Sequence, residues 1–129
     1  MAEVRYYSRS GKTREVAEQI AEAIGVDAVS VDSQGAEIDE PTDVLFVGGA
    51  LYAYGLDKKL NAFIEALDGA KVKKAVLFST SWISKHALDL MREKLVAKGI
   101  QVADDVLYLK SREVKTHHTE IQNFAKKYI

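Results

Sequence analysis

The chain reads as an α/β domain, a five-stranded, doubly wound parallel sheet in the order 2-1-3-4-5 with helices on both faces. Three observations predict it. Strand-like and helix-like segments alternate along nearly all of the 129 residues. Two of the strands, Val44-Leu45-Phe46-Val47 and Ala75-Val76-Leu77-Phe78, are continuous apolar runs, as strands covered on both faces are. The segments between strands repeat apolar residues at helical spacing. Strict alternation implies right-handed crossovers, which lay helices over a parallel sheet. With no repeat, low-complexity tract or Gly/Ser linker, residues 1–129 read as a single domain.

The first strand is the short β-prone run Val4-Arg5-Tyr6-Tyr7, followed by the turn Ser8-Arg9-Ser10-Gly11. Val16, Ala17, Ile20, Ala21 and Ile24 then recur with helical period, and Gly25 stops the helix. Val26 to Val31 alternates with period two, as an edge strand does. Asp32 to Asp43 contains Gly35 and Pro41 and is short and polar, so a loop or reduced crossover replaces a helix there. Val44 to Val47 belongs in the middle of the sheet and ends in Gly48-Gly49. Leu56, Leu60, Phe63, Ile64 and Leu67 mark the next helical stripe, and Ala75 to Phe78 the fourth strand. Ser84 is a candidate cap for a helix carrying Leu88, Met91 and Leu95 and closed by Gly99. Ile100 to Leu109 is the fifth strand, with a candidate interruption at Asp104-Asp105. Ile121, Phe124, Ala125 and Tyr128 face the core from the last helix, with Thr116 as its candidate cap.

Composition narrows the function. Without Cys there is no disulfide, thiol nucleophile or thiolate-held metal cluster, so redox work needs a bound cofactor. A net charge of −1 argues against non-specific nucleic-acid binding. Met1 to Arg5 lacks the apolar core of a signal peptide and no apolar run approaches the roughly 18–20 residues that span a bilayer, so a cytoplasmic protein without a membrane partner is expected. The charge is unevenly spread: residues 1–69 carry 6 basic and 13 acidic side chains, and residues 70–129 carry 12 and 6. Two solvated faces or the steering of a charged partner would each account for that split.

In an open sheet of this order, ligands bind beyond the carboxyl ends of the strands, where the winding reverses between the first and third. Three loops meet there. The first, Ser8-Arg9-Ser10-Gly11-Lys12-Thr13, offers three hydroxyls, a Gly for curling the backbone and amides at a helix start, the makings of a phosphate cradle. Its plainer reading is a helix cap flanked by solvated side chains. The second, Gly48-Gly49-Ala50-Leu51-Tyr52-Ala53-Tyr54-Gly55, sets two aromatics between glycines at the end of the buried third strand, and the third, Ser79-Thr80-Ser81-Trp82-Ile83-Ser84, adds another. One loop aromatic would simply plug the crevice. Three beside a phosphate cradle suggest a flat aromatic ligand held by stacking.

Gly11-Lys12-Thr13 also mimics the end of a Walker A motif, but Tyr6 stands where its leading Gly would be and no strand ends in an Asp suited to magnesium, which argues against nucleotide hydrolysis. A signalling receiver domain needs acidic residues after the first and third strands, where this chain has Ser8 and Gly48. His117-His118 lack carboxylates at ligand spacing and read as a solvated helix end, so no metal site is expected. His86 reads as a surface histidine, with contact to a bound ligand as the alternative. No Ser/His/Asp order or carboxylate pair points to hydrolysis, so no catalytic residue is assigned.

Ser8 to Thr13 fits the [ST]-x-[ST]-G-x-[ST] phosphate loop of the flavodoxin family, and the chain resembles that family over nearly its whole length. Gly48 to Gly55 followed by Leu56-Asp57-Lys58-Lys59-Leu60 resembles the loop and helix after the third strand in short members. The resemblance implies a flavodoxin-like fold and FMN as cofactor. Ser8, Ser10 and Thr13, with the backbone from Arg9 through Gly11 to Lys12, would hold its phosphate. Ala50, Leu51, Tyr52, Ala53, Tyr54 and Gly55, with Ser79, Thr80, Ser81 and Trp82, would flank the ring system, and Tyr52, Tyr54 and Trp82 are the stacking candidates. Arg9, Lys12, Lys58, Lys59 and Lys85 give these loops a basic character that many family members lack. The function implied is electron transfer to and from a redox partner protein. The alternatives are a flavin-dependent oxidoreductase of the same fold, such as a quinone reductase or a protoporphyrinogen oxidase-like enzyme, and a cofactor-free interaction module.

Overall fold

The computed structural model describes residues 1–52, 55–81 and 85–129, with Tyr52 and Ser81 described by their backbone. Its elements run β1 (Ala2–Tyr6), α1 (Lys12–Ile24), β2 (Ala28–Ser30), β3 (Thr42–Gly49), β4 (Leu51–Tyr52), β5 (Gly55–Leu56), α2 (Lys58–Ala66), β6 (Val72–Ser81), α3 (His86–Ala97), β7 (Gln101–Lys110) and α4 (His118–Lys126). The main sheet has the order β2-β1-β3-β6-β7 and every pairing in it is parallel. The expected doubly wound topology is thus the observed one, with the winding reversing between β1 and β3. No helix among the described residues is long and apolar enough to cross a membrane.

The alternation of side chains along β3 builds two cores. Val44 and Phe46 join Val4, Tyr6, Phe78, Ile20 and Ile121 under α1 and α4, whereas Leu45 and Val47 join Leu77, Leu60, Ile64 and Met91 under α2 and α3. Leu45, Phe46, Val47, Ala75, Val76, Leu77 and Phe78 are all fully buried, which is why both runs lack polar residues. Gly48 and Gly49 end β3 for a packing reason. A Cβ on Gly48 would lie 2.0 Å from the buried Phe78 ring, and one on Gly49 would lie 2.3 Å from Leu60.

Several boundaries differ from the sequence reading. Leu56 does not open α2: it pairs antiparallel with Leu51 in the β4–β5 ribbon, and Asp57 caps the helix by accepting the Lys59 N–H at 2.8 Å. Lys85 is the capping position of α3, and Ser84 lies outside the described residues. His117, not Thr116, precedes α4; the Thr116 hydroxyl instead donates to the Glu113 carbonyl at 3.2 Å. β7 runs through Asp104-Asp105 without breaking, and the extra residues appear as a bulge where the β6 register shifts between Ala75 and Leu77. β2 shrinks to three residues, each half-buried, at the edge of the sheet.

Between β2 and β3 there is no helix, as the sequence implies, but a turn-rich connection. It is held by Arg5 of β1. Arg5 is 5 % exposed. Its Nε donates to the Ala36 carbonyl at 2.7 Å, and its Nη1 donates to the Val4 carbonyl and to Glu3 Oε2, both at 3.1 Å. Where a crossover helix would lie beside α2, a cavity of about 560 Å³ opens, lined by residues such as Ile38, Phe63 and Leu67. Arg5→Ala should therefore lower stability by about 2–3 kcal/mol, since it strips a charge-assisted bond and loosens the connection over Ala36. A shift of the urea midpoint measures this; a change below about 0.5 kcal/mol would show that the connection holds itself.

Candidate functional site

The carboxyl ends of β1, β3 and β6 bring the three expected loops to one edge of the sheet. The last rung there is the Tyr7 N–H donating to the Gly48 carbonyl at 3.1 Å, after which the chain turns away in opposite directions. Ser8 to Gly11 forms the turn that opens α1. The Ser8 hydroxyl accepts the Gly11 N–H at 2.9 Å, and Gly11 has φ +93°, a left-handed conformation that a Cβ would strain. Gly11 occupies the capping position and supplies no side chain to the first amides of α1. Ser10 is exposed, and its hydroxyl meets the Lys12 N–H only at 3.4 Å. Lys12 is the first residue of the helix.

Thr13 turns inward. It is 1 % exposed, and its Oγ1 lies 2.6 Å from that of Thr80, itself buried. Thr13 is in α1 and Thr80 in β6, so this contact joins the start of the helix to the end of the strand, and Ser79 to Ser81, expected in a loop, extend β6 instead. Ser79, one residue earlier on β6, donates from its hydroxyl to the Gly49 carbonyl at 2.6 Å and joins the end of β6 to that of β3. The structure thus connects Thr13, Ser79 and Thr80 beneath the crevice as its polar floor. Ala50 follows β3, Leu51 and Tyr52 form β4, Gly55 begins β5, and Ser81 ends β6. Ala53, Tyr54 and Trp82, two of the three stacking candidates among them, lie outside the described residues.

Arg9 is engaged elsewhere than at the backbone of its own loop. Its Nη2 and Nε donate to Asp57 Oδ2 at 2.6 and 3.1 Å, so the first loop is clamped to the cap of α2. The sequence reading did not single out Asp57, because it placed Leu56 inside the helix and so hid the cap; an Asp just before an apolar helical stripe was the available signal. Burial of Asp57 pushes its pKa up, but the Lys59 amide and the Arg9 guanidinium outweigh this and hold it below the ordinary carboxylate range. Tyr7 was also missed as a site residue. Lys59 Nζ sits 5.4 Å from the centre of its ring and 3.5 Å from Asp32, and Lys59 is held above its usual range by the Tyr7 hydroxyl first and Asp32 after it.

The histidines have local partners. His117 Nδ1 lies 2.9 Å from the Glu113 carbonyl, and His118 Nδ1 lies 2.6 Å from Gln19 Oε1. His86 is exposed at the start of α3.

Comparison with known proteins agrees with this architecture. Residues 4–110 match the model of the flavodoxin domain. A flavodoxin from the domain Archaea is 26 % identical over 97 % of this chain and 98 % of its own, with a TM-score of 0.73. Oxidised Flavodoxin 2 from Bacillus cereus is 20 % identical over 98 % and 96 %, with a TM-score of 0.80. The rubredoxin:oxygen oxidoreductase of Desulfovibrio gigas is 16 % identical, with a TM-score of 0.73, over 98 % of this chain but 36 % of its own. No curated protein sequence matches the chain.

The Arg9–Asp57 clamp predicts a pH dependence. Because the folded-state pKa of Asp57 lies below its unfolded value, the stabilisation is complete above the carboxylate range and is lost as pH falls through the folded pKa. Asp57→Asn keeps an N-cap side chain but not the charge, so it should cost about 1 kcal/mol at neutral pH, discounted for the exposed Arg9. The gap to the parent should narrow as pH is lowered toward about 3. Parallel unfolding profiles at all pH values would show that the clamp carries no charge-dependent stability.

Proposed function

This chain belongs to the flavodoxin family, and from that membership we propose that it binds FMN noncovalently at the β1–β3 crevice and serves as an electron-transfer protein. The observation that carries this reading is the Ser8–Thr13 turn, which sets the uncapped start of α1 at the carboxyl edge of the sheet. Its donor set fits a phosphate dianion. The six residues include no carboxylate, the Ser10 hydroxyl is exposed and weakly engaged, and space is open beside Gly11 where a side chain would project. The flavin, when bound, supplies reversible uptake of one or two electrons.

The chain's own residues position and tune. Ser8 holds the turn through Gly11, leaving Ser10 and the first amides of α1 to meet the anion. Thr13 and Thr80 lock the loop to β6, so the cradle is shaped before any ligand arrives. Arg9, tied to Asp57, keeps the turn against the second loop. Tyr52, Tyr54 and Trp82 remain our candidates for stacking against the ring system.

Two measurements test this. Purified protein titrated with FMN should develop protein-bound flavin absorbance, and Ser10→Asp should weaken FMN by about 3 kcal/mol, roughly a hundredfold in Kd, because it brings a carboxylate to the phosphate at about 5 Å. Riboflavin, lacking the phosphate, should lose far less. Equal losses for both ligands would relocate the phosphate. If FMN binds, a lysine at about 10 Å in an effective dielectric of about 30 favours an anionic reduced flavin by about 1 kcal/mol, or about 40 mV. The second reduction potential should therefore drop by tens of millivolts in Lys58→Gln, and an unchanged potential would separate Lys58 from the tuning of the flavin.

A further inference from the structure

We propose that the carboxyl edge of the sheet, rimmed by Lys12, Lys58, Lys85, Lys110 and Arg112, is the docking face for an acidic redox protein that exchanges electrons at the crevice. This deepens the electron-transfer reading and rests on it. The topology gathers the rim from four connections: Lys12 follows β1, Lys58 follows the β4–β5 ribbon beyond β3, Lys85 follows β6, and Lys110 ends β7. Lys85 Nζ lies 5.4 Å from the centre of the Tyr108 ring, two residues before Lys110, which brings the β6 and β7 ends together. Lys58, Lys85, Lys110 and Arg112 are all exposed.

These positions run against local stability. The start of a helix carries partial positive charge and favours Asp or Glu. Here Lys12 opens α1, Lys58 and Lys59 open α2, and Lys85 stands at the capping position of α3. Each of these helices also carries a carboxylate at its start, Glu15 in α1, Asp57 at the cap of α2 and Asp89 in α3, so the dipoles are partly offset while the lysines remain at the edge.

Three carboxylates near the rim are committed to other groups, and the first-turn Glu15 and Asp89 make no ion pair with a rim cation among the described residues. Asp57 holds Arg9, Asp32 holds Lys59, and Glu113 accepts the Lys110 backbone N–H while its other oxygen lies 3.8 Å from His117. None of the five rim side chains makes an ion pair among the described residues. Elsewhere carboxylates do meet cations: Asp43 binds both the N-terminal ammonium and Lys73, and Asp105 binds Lys127. The chain as a whole is slightly acidic, so the attraction is confined to this face. A compact acidic protein that presents carboxylates to the crevice alone complements that pattern, whereas an extended polyanion would also run past the acidic groups of the first half.

The test measures association with a strongly acidic ferredoxin, a strongly basic cytochrome c and a single-stranded oligonucleotide, each across a salt series. The parent should bind the ferredoxin most tightly, with Kd weakening by about tenfold or more between about 20 and 200 mM salt. The combined variant Lys58→Glu, Lys85→Glu and Lys110→Glu should lose the ferredoxin and gain the cytochrome. Its thermal midpoint should hold or rise, because two of the new carboxylates stand at helix starts. Preference of the parent for cytochrome c or for the oligonucleotide, or ferredoxin binding indifferent to salt, overturns the proposal. Flavin absorbance is read on the same samples. Ferredoxin association without flavin uptake strikes the FMN reading, and flavin uptake without association strikes the docking face alone.

Discussion

The pairing of β1 with β3 is the constraint on which the rest of the molecule depends. Those two strands stand side by side in the sheet although a whole βα unit separates them in the chain, and the rung from Tyr7 to the Gly48 carbonyl is where their paths part. Everything proposed for the crevice follows from that divergence. One loop turns back into α1 on one face, the other passes through a short ribbon into α2 on the opposite face, and the space between them opens at the ends of the strands.

What keeps the opening shaped is a small set of polar contacts under it. The Thr13–Thr80 hydroxyl pair and the Ser79 bond to Gly49 are buried, so each would be costly to leave unmade, and together they tie the start of α1 and the ends of β3 and β6 to a common floor. The Arg9–Asp57 pair works at the rim, half in solvent, and contributes position more than energy. Rigid backbone below and exposed hydroxyl and amide groups above suit the recognition of an anion whose own conformational freedom has to be restrained.

The distribution of charge follows a different logic from that of the core. At the amino edge the N-terminal ammonium and Lys73 share Asp43, whereas at the carboxyl edge Lys58 and Lys85 stand exposed at helix starts with no ion pair among the described residues. Stability alone would favour the opposite arrangement. The charge split between the halves of the sequence, which by itself fits two solvated faces equally well, acquires a direction only when the strands place the rim around the crevice.

The fold was legible in the residues because the two continuous apolar runs and the helical stripes each admit one kind of burial, and strand alternation then leaves few topologies. The turn that opens α1 was legible for a similar reason: hydroxyls and a Gly ahead of a helix are local chemistry. Contacts between distant positions were not. Nothing about Asp57 in the chain announces Arg9, forty-eight residues earlier, as its partner, and nothing about Arg5 announces the Ala36 carbonyl. The start of α2 was misplaced because an apolar residue satisfies a short ribbon and a helical stripe alike, and only pairing with Leu51 decides between them. The main strands and helices, their burial and the Gly-containing turn before α1 were readable from the chain, since these depend on neighbours along it. The tertiary structure alone decided which side chains meet across the crevice and which charges stay outward, since those depend on neighbours in space.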